Sequence, residues 1–339
     1  MKYVLHIFSV ITFSAFFAVI QNNNLLSPLP DSDANSDRMK MEVLARIENR
    51  KNTYSLKKQT SLVPQSYASG DFTQAKALLS ANLDTGEIYY EKNLDTPLPI
   101  ASLTKIMTAI IALDLLSPEN EIVIDMDAAS AIPTKIGVVV GERMTVEELL
   151  TASLLTSAND ATEAIRNGVE NVYGDGVFVD AMNRKAQFLD LSDTSFSNPQ
   201  GFDSNSHYSS VADLAVLTHY AMTNYPLIYQ IVRNDYSYLP ANASHKQFDL
   251  INWNGLIGIY PGAMGMKIGN TGRAQKTIIA ISERQNTRIL SIVLGAPDLY
   301  ARDMWAADML DIGFEKSIGL APEKITKAQL QEKYNSWNY

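Results

Sequence analysis

The stretch IASLTKIMTAIIALDLL, residues 100–116, decides how the rest of the chain is read. Its Ile, Met, Ala and Leu recur at helical spacing and read as a buried helix, yet Ser102 and Lys105 stand in the first turn. Residues three apart on a helix share a face, so the lysine can reach the serine hydroxyl. That hydroxyl is too weak an acid to attack an acyl carbon unaided and needs a base beside it. A lysine becomes such a base when burial or a neighbouring cation lowers its pKa and leaves the amine neutral. The two residues therefore read as nucleophile and base. Spacing alone is a weak signal, because SLKK at Ser55 to Lys58 repeats it inside a polar tract.

Downstream, TVEELLTASLLTS opens with a capping box, Thr145 to Glu148, and continues with apolar residues at helical spacing. Further helices are expected in DATEAIRNGVENVYG, VFVDAMNRKAQFLDL and SSVADLAVLTHYAM. Upstream, two β-rich runs flank Asp84, Thr85 and Gly86, which reads as a hairpin turn. KTIIAIS and TRILSIVLGA read as closing strands, and RDMWAADMLDIGF as a last helix. Strands at both ends with helices between them predict an α+β fold. Its antiparallel sheet is built from distant N- and C-terminal segments and covered by helices.

Composition narrows the chemistry. The 339 residues carry 37 acidic and 28 basic side chains, a formal charge of −9 that repels a phosphate backbone, so no nucleic-acid partner is expected. With no cysteine, thiol nucleophiles, disulfides and thiolate metal sites are excluded. His6, His207, His219 and His245 are scattered and form no metal-binding pair, so neither metal nor cofactor is expected. His219 reads as a packed helix residue, and Asn198 and His207 as residues that shape a loop.

Residues 1–22 combine a short basic start with an apolar run from Tyr3 to Ile20, the pattern of an export signal or an N-terminal membrane anchor. Residues 23–74 read as a disordered polar linker with a short helix around MEVLARIE, 75–315 as the catalytic domain, and 316–339 as a tail.

Two motifs follow the Ser/Lys helix in order. LLTSANDA places Ser157, Ala158 and Asn159 just past an apolar helix, and GMKIGNTGRA places Lys267 and Gly269 at the start of the last β section. Together with LDTGEIYYEKNLDTPLPIASLTKIMTA, SFSNPQGFDSNSHYSSVADLA and ARDMWAADMLDIGF, they make residues 75 to 315 resemble the penicillin-recognising serine D,D-peptidases. Within these, the resemblance is to the low-molecular-mass penicillin-binding proteins of the D-alanyl-D-alanine carboxypeptidase type. It implies a penicillin-binding/β-lactamase-like transpeptidase fold with a helical subdomain. It also implies an exported enzyme of the cell envelope or periplasm, with peptidoglycan stem peptides as substrate and β-lactam antibiotics as covalent inhibitors.

Carried over by position, the resemblance makes Ser102 the acylated nucleophile and Lys105 its general base. Ser157 passes a proton to the leaving amine, and Asn159 holds a backbone carbonyl of the substrate. Lys267 supplies positive charge beside Ser157 and the substrate carboxylate. The backbone N–H groups of Ser102 and Thr271 form the oxyanion hole, and Arg302 assists in binding the terminal carboxylate.

Two residues depart from the family pattern. Ile268 stands where a threonine hydroxyl usually meets the substrate carboxylate, and Gln275 stands where glycine is usual. The first departure keeps two alternatives open beside the carboxypeptidase: an endopeptidase on peptidoglycan cross-links, and a wall-binding relative of low turnover. A class A β-lactamase needs a glutamate after the Ser-x-Asn motif to activate water, and none occurs between Glu170 and Glu283.

Overall fold

The computed structural model describes residues 32–48, 50–57 and 71–337, so the expected export signal lies outside the described residues. The chain divides into two units, residues 1–42 and 43–339. Helix α1 (Ser32–Ile47) begins in the first. In the second, a 3₁₀ turn at Asp71–Gln74 precedes a hairpin of β1 (Ala77–Asn82) and β2 (Ile88–Lys92). A 3₁₀ turn, Ala101–Thr104, leads into α2 (Lys105–Leu115). Then come β3 (Glu121–Val123), the single turn α3 (Met126–Ala129), β4 (Arg143–Thr145) and α4 (Val146–Thr151). A π-helical turn, Ala152–Thr156, precedes α5 (Asn159–Tyr173) and α6 (Val177–Phe188). Helices α7 (Val211–Asn224) and α8 (Pro226–Val232) lead to a small hairpin, β5 (Tyr236–Leu239) and β6 (Phe248–Ile251). The chain closes with β7 (Ala263–Thr271), β8 (Gln275–Arg284), β9 (Thr287–Ala296), α9 (Leu299–Ile318) and α10 (Lys327–Asn335).

The main sheet is antiparallel, ordered β2-β1-β9-β8-β7, so the first hairpin pairs with the last strands as expected. Both faces are covered, which is why KTIIAIS and TRILSIVLGA are largely apolar without alternating apolar and polar residues. Successive residues serve opposite cores. Leu79, Ile279 and Ile292 join the one containing α2 and α7 residues, whereas Leu78, Ile278 and Val293 join the one built with α9. The capping box at Thr145 and Glu148 forms. The strands β3, β4, β5 and β6 had no clear signal, since each spans only three or four residues.

Two stretches differ from the expected boundaries. Inside the tract read as a polar linker, the short helix expected around MEVLARIE forms as part of the longer α1, and residues 50–57 lie against the domain. Tyr54 is buried and stacks on His219 at 4.1 Å, and the Lys57 N–H donates to the Gly86 carbonyl. At Gly86 a Cβ would fall 2.1 Å from the Ser55 carbonyl oxygen, so only glycine admits this segment. The residues read as a tail are likewise folded. Helix α9 runs on through Ile318, and α10 buries Leu330 and Tyr334 one turn apart. The Tyr334 hydroxyl donates to Asp303 at 2.7 Å.

Candidate active site

The decisive segment folds as a 3₁₀ turn that hands over to α2, placing Ser102 in the turn and Lys105 at the first helical residue. Ala101, just before the serine, adopts a left-handed backbone (φ 51°) that non-glycine residues rarely accept. The turn is held from outside by Thr277 on β8, whose hydroxyl donates to the Ile100 carbonyl at 3.1 Å.

Lys105 is wholly buried. Its Nζ lies 3.0 Å from Ser102 Oγ, 2.8 Å from Asn159 Oδ1 and 2.8 Å from the Gln200 carbonyl oxygen. All three acceptors are neutral. Burial pushes the Lys105 pKa well below the ordinary lysine range, and the charge of Lys267 pushes it the same way against the pull of Asp160.

Ser157 and Asn159 arrive by a different route. The π turn ends in Ser157, itself left-handed (φ 62°) and buried, and α5 begins two residues later. Asn159 accepts from Lys105 and donates Nδ2 to the Ile132 carbonyl at 3.1 Å. Its neighbour Asp160 accepts the backbone N–H groups of Ile136, Gly137 and Val138, tying the 136–138 loop to the start of α5.

Strand β7 forms the opposite wall. Lys267 is 1% exposed, and its pKa falls to about 7, through burial first and the charge of Arg302 second. At Gly269 a Cβ would lie 2.9 Å from the Ser102 backbone nitrogen, so the glycine lets the strand touch the turn that carries Ser102. Ile268 faces the other way, 7% exposed within the α9 core and opposite Ile278 in the ladder. The expectation that its side chain fronts the substrate is therefore corrected, since adjacent strand residues point to opposite faces. Gln275 takes φ 60° in the β7–β8 turn, a conformation glycine adopts without strain.

Thr271 and Arg302 have further partners in the protein. The Thr271 hydroxyl donates to Asp203 at 2.7 Å, and the strand's approach to Ser102 is at Gly269, two residues earlier. Arg302 is buried and forked onto Asp303, Nε to Oδ1 at 2.6 Å and the terminal nitrogen to Oδ2 at 2.8 Å. It also donates to the Trp253 carbonyl at 3.3 Å. Its charge reaches Lys267 electrostatically, while Nε and one terminal nitrogen are engaged inside the protein.

Sequence reasoning missed Gln200, whose main-chain oxygen serves Lys105. A backbone acceptor leaves no mark in residue type. It also missed Asp160, whose loop partners are more than twenty residues away in the chain. No group of three or more His, Asp or Glu among the described residues is placed to hold a metal ion.

The profile of the D-alanyl-D-alanine carboxypeptidase family matches residues 65–298. The chain belongs to that family. Among curated carboxypeptidases it is 34% identical to D-alanyl-D-alanine carboxypeptidase DacF of Bacillus subtilis over 248 residues, 72% of this chain and 63% of that one. The chain thus spans less than two thirds of that relative's length. It is 31% identical to D-alanyl-D-alanine carboxypeptidase DacB2 of Mycobacterium tuberculosis over 245 residues, covering 71% and 82%. Among solved structures, the DD-transpeptidase of Streptomyces strain K15 superposes with a TM-score of 0.67 at 26% identity, covering 71% of this chain and 97% of that one. Penicillin-Binding Protein D2 of Listeria monocytogenes, in its ampicillin-bound form, superposes with a TM-score of 0.61 at 28% identity and the same coverage. The carboxypeptidase family's penicillin-binding D,D-peptidase fold is the α+β architecture described above.

Proposed function

We propose that the protein is a serine D,D-carboxypeptidase that removes the terminal D-alanine of peptidoglycan stem peptides and is acylated by β-lactams. The observation that carries this reading is the set of contacts around Lys105. A neutral amine has two N–H bonds and one lone pair. Asn159 Oδ1 and the Gln200 carbonyl accept the two N–H bonds, which leaves the lone pair for the Ser102 hydroxyl at 3.0 Å.

Lys105 takes the Ser102 proton as Oγ bonds to the carbonyl carbon of the penultimate D-alanine. The carbonyl electrons move onto oxygen, stabilised by backbone donors. Ser102 N–H is one donor. The amide of Asn270, directly after the contact at Gly269, is the better second donor than Thr271. Collapse of the tetrahedral species breaks the peptide bond, and the departing amine receives the proton from Lys105 through Ser157. Water then attacks the ester carbon, its proton returns to Lys105, and Ser102 Oγ leaves reprotonated. Lys267 carries the charge that meets the substrate carboxylate.

The same chemistry would serve cross-link cleavage, but Ile268 no longer favours it, since its side chain belongs to the α9 core. The apolar run near the N-terminus supports export to the envelope. Among the described residues no helix is long and apolar enough to cross a membrane. The test is covalent capture of labelled penicillin by the full chain, followed by assays for D-alanine release from a D-Ala-D-Ala pentapeptide and for cleavage of a cross-linked muropeptide. Capture lost in Ser102→Ala with release from the pentapeptide supports the reading. Capture that survives the substitution at the wild-type level rejects it.

A further inference from the structure

We propose that His207 and Thr104 are positioning residues that aim the Ser102 backbone N–H at the oxyanion of the reacting carbonyl. The inference rests on the reading of Ser102 as the nucleophile. A trans peptide is one rigid plane in which C=O and N–H point in opposite directions. Whatever fixes the Ala101 carbonyl therefore fixes the direction of the Ser102 N–H.

That carbonyl is held from two sides. Thr104 Oγ1 donates to it at 2.8 Å. From the other side, the backbone of Gly201 lies against the same peptide plane. A Cβ there would fall 2.1 Å from the Ala101 oxygen and 2.9 Å from the Ser102 nitrogen. The plane needs holding, because Ala101 keeps its left-handed backbone only if its surroundings impose it.

His207 sets the direction of the threonine proton. The Ser197 N–H donates to His207 Nδ1 at 3.1 Å, so Nδ1 is the acceptor and Nε2 carries the hydrogen. Nε2 lies 2.7 Å from Thr104 Oγ1 and donates to it, which leaves the single hydroxyl proton for Ala101. The chain of donors runs one way, from Ser197 through His207 and Thr104 to the nucleophile's peptide plane. His207 is buried, which lowers its pKa to about 4, with Asp203 opposing the shift and Lys105 adding to it. The ring therefore stays neutral, in the tautomer the chain requires, across the pH range where a serine peptidase works.

A lost oxyanion donor slows the chemical step and leaves ground-state binding alone. Acylation by a labelled penicillin should be resolved into its binding constant and its rate constant for the full chain, beside the affinity of a peptide boronic acid that forms a tetrahedral adduct with the serine. Thr104→Val should lower the acylation rate constant by about 10- to 100-fold, leave the binding constant within about twofold, and weaken the boronate by the same factor as the rate. Thr104→Ser should restore all three. Thr104→Val combined with His207→Phe should be no worse than either alone, because both break one chain.

Wild-type acylation by a folded Thr104→Val protein overturns the proposal, as does a loss confined to the binding constant. Should Thr104→Val fail to fold, His207→Gln keeps a donor toward Thr104 and should acylate about tenfold faster than His207→Phe. Equal rates for those two overturn it. The nucleophile is tested separately, by labelling of wild type and Ser102→Ala. If that reading fails, both variants and wild type alike lose meaning at Ser102, a result distinct from normal labelling with an intact rate in Thr104→Val.

Discussion

Lys185 on α6 and Lys105 on α2 are both shut away from solvent, yet they stand among different partners. Lys185 meets a carboxylate: its Nζ is 2.7 Å from Asp114 Oδ2 and 3.3 Å from the Tyr220 hydroxyl, and it lies over the rings of Phe188 and Tyr220. Asp114 in turn accepts from Tyr225 at 2.8 Å. A buried ammonium with such a partner has its lost hydration replaced. Among the described residues Lys105 hydrogen-bonds to a hydroxyl, a side-chain amide and a main-chain carbonyl, with Lys267 acting against its charge and Asp160, not in contact, acting weakly for it. With no carboxylate in contact, shedding the proton is the way to relieve burial. Burial alone therefore does not distinguish a lysine poised to lose its proton from one held as an ion pair. The missing countercharge does.

The largest effect should come from denying Lys105 its neutral form. Lys105→Arg keeps a cation and a donor, but arginine does not deprotonate in proteins. Acylation should fall by about 10³-fold or more, measured as the rate of labelled-penicillin capture. If the arginine variant acylates normally, the residue acts only as a charge and the comparison with Lys185 loses its meaning.

Asn159→Asp should push Lys105 toward the condition of Lys185. A carboxylate in contact favours the ammonium and raises the lysine pKa. The sign follows: the neutral base appears only at higher pH, so the rising limb of the acylation profile should move to higher pH. At neutral pH the rate should drop by about 100-fold, with partial recovery in alkali. An unshifted profile would mean that the Asn159 oxygen is not what Lys105 senses. Because Asn159 also donates to Ile132, melting curves must accompany the rates.

The structural lysine should respond in the opposite sense. Asp114→Asn leaves Lys185 buried without its charge partner, which costs about 3–5 kcal/mol of stability by the usual measure of broken buried pairs. The protein that remains folded should acylate at the wild-type rate. Denaturant unfolding and penicillin capture, read on the same sample, check both halves.

The contrast also explains what was legible beforehand. Ser102, Lys105, Ser157, Asn159 and Lys267 announce themselves by residue type and by local motif spacing, and the structure sets Lys105 against Ser102 and Asn159. The sheet could be read too, since KTIIAIS and TRILSIVLGA bury alternate residues on two faces and are largely apolar. Asp114 and Lys185 are 71 positions apart, and nothing local marks them as partners. The Gln200 carbonyl and the Gly201 backbone act through main-chain atoms that every residue has. Arg302 was found by position but not in its surroundings, because Asp303, one residue on, takes its guanidinium.

The smallest effect is expected at Ile268, where the two faces of β7 can be set against each other. Lys267 and Ile268 are neighbours, one buried where its charge acts on Lys105 and the other in the core that holds Tyr260, Ile278 and Trp305. Ile268→Thr keeps a β-branched side chain, so the strand itself should be little disturbed. It removes apolar volume and leaves a hydroxyl among hydrocarbon, which should cost about 1–3 kcal/mol. The acylation rate of the folded protein should stay within about threefold of wild type, since a hydroxyl on the core side of the strand does not meet the substrate. A gain of about tenfold would correspond to one restored charge-assisted hydrogen bond. That gain, seen with a carboxylate-terminated pentapeptide, would mean that position 268 reaches the substrate after all, and that the division of β7 into a chemical face and a packing face is drawn in the wrong place.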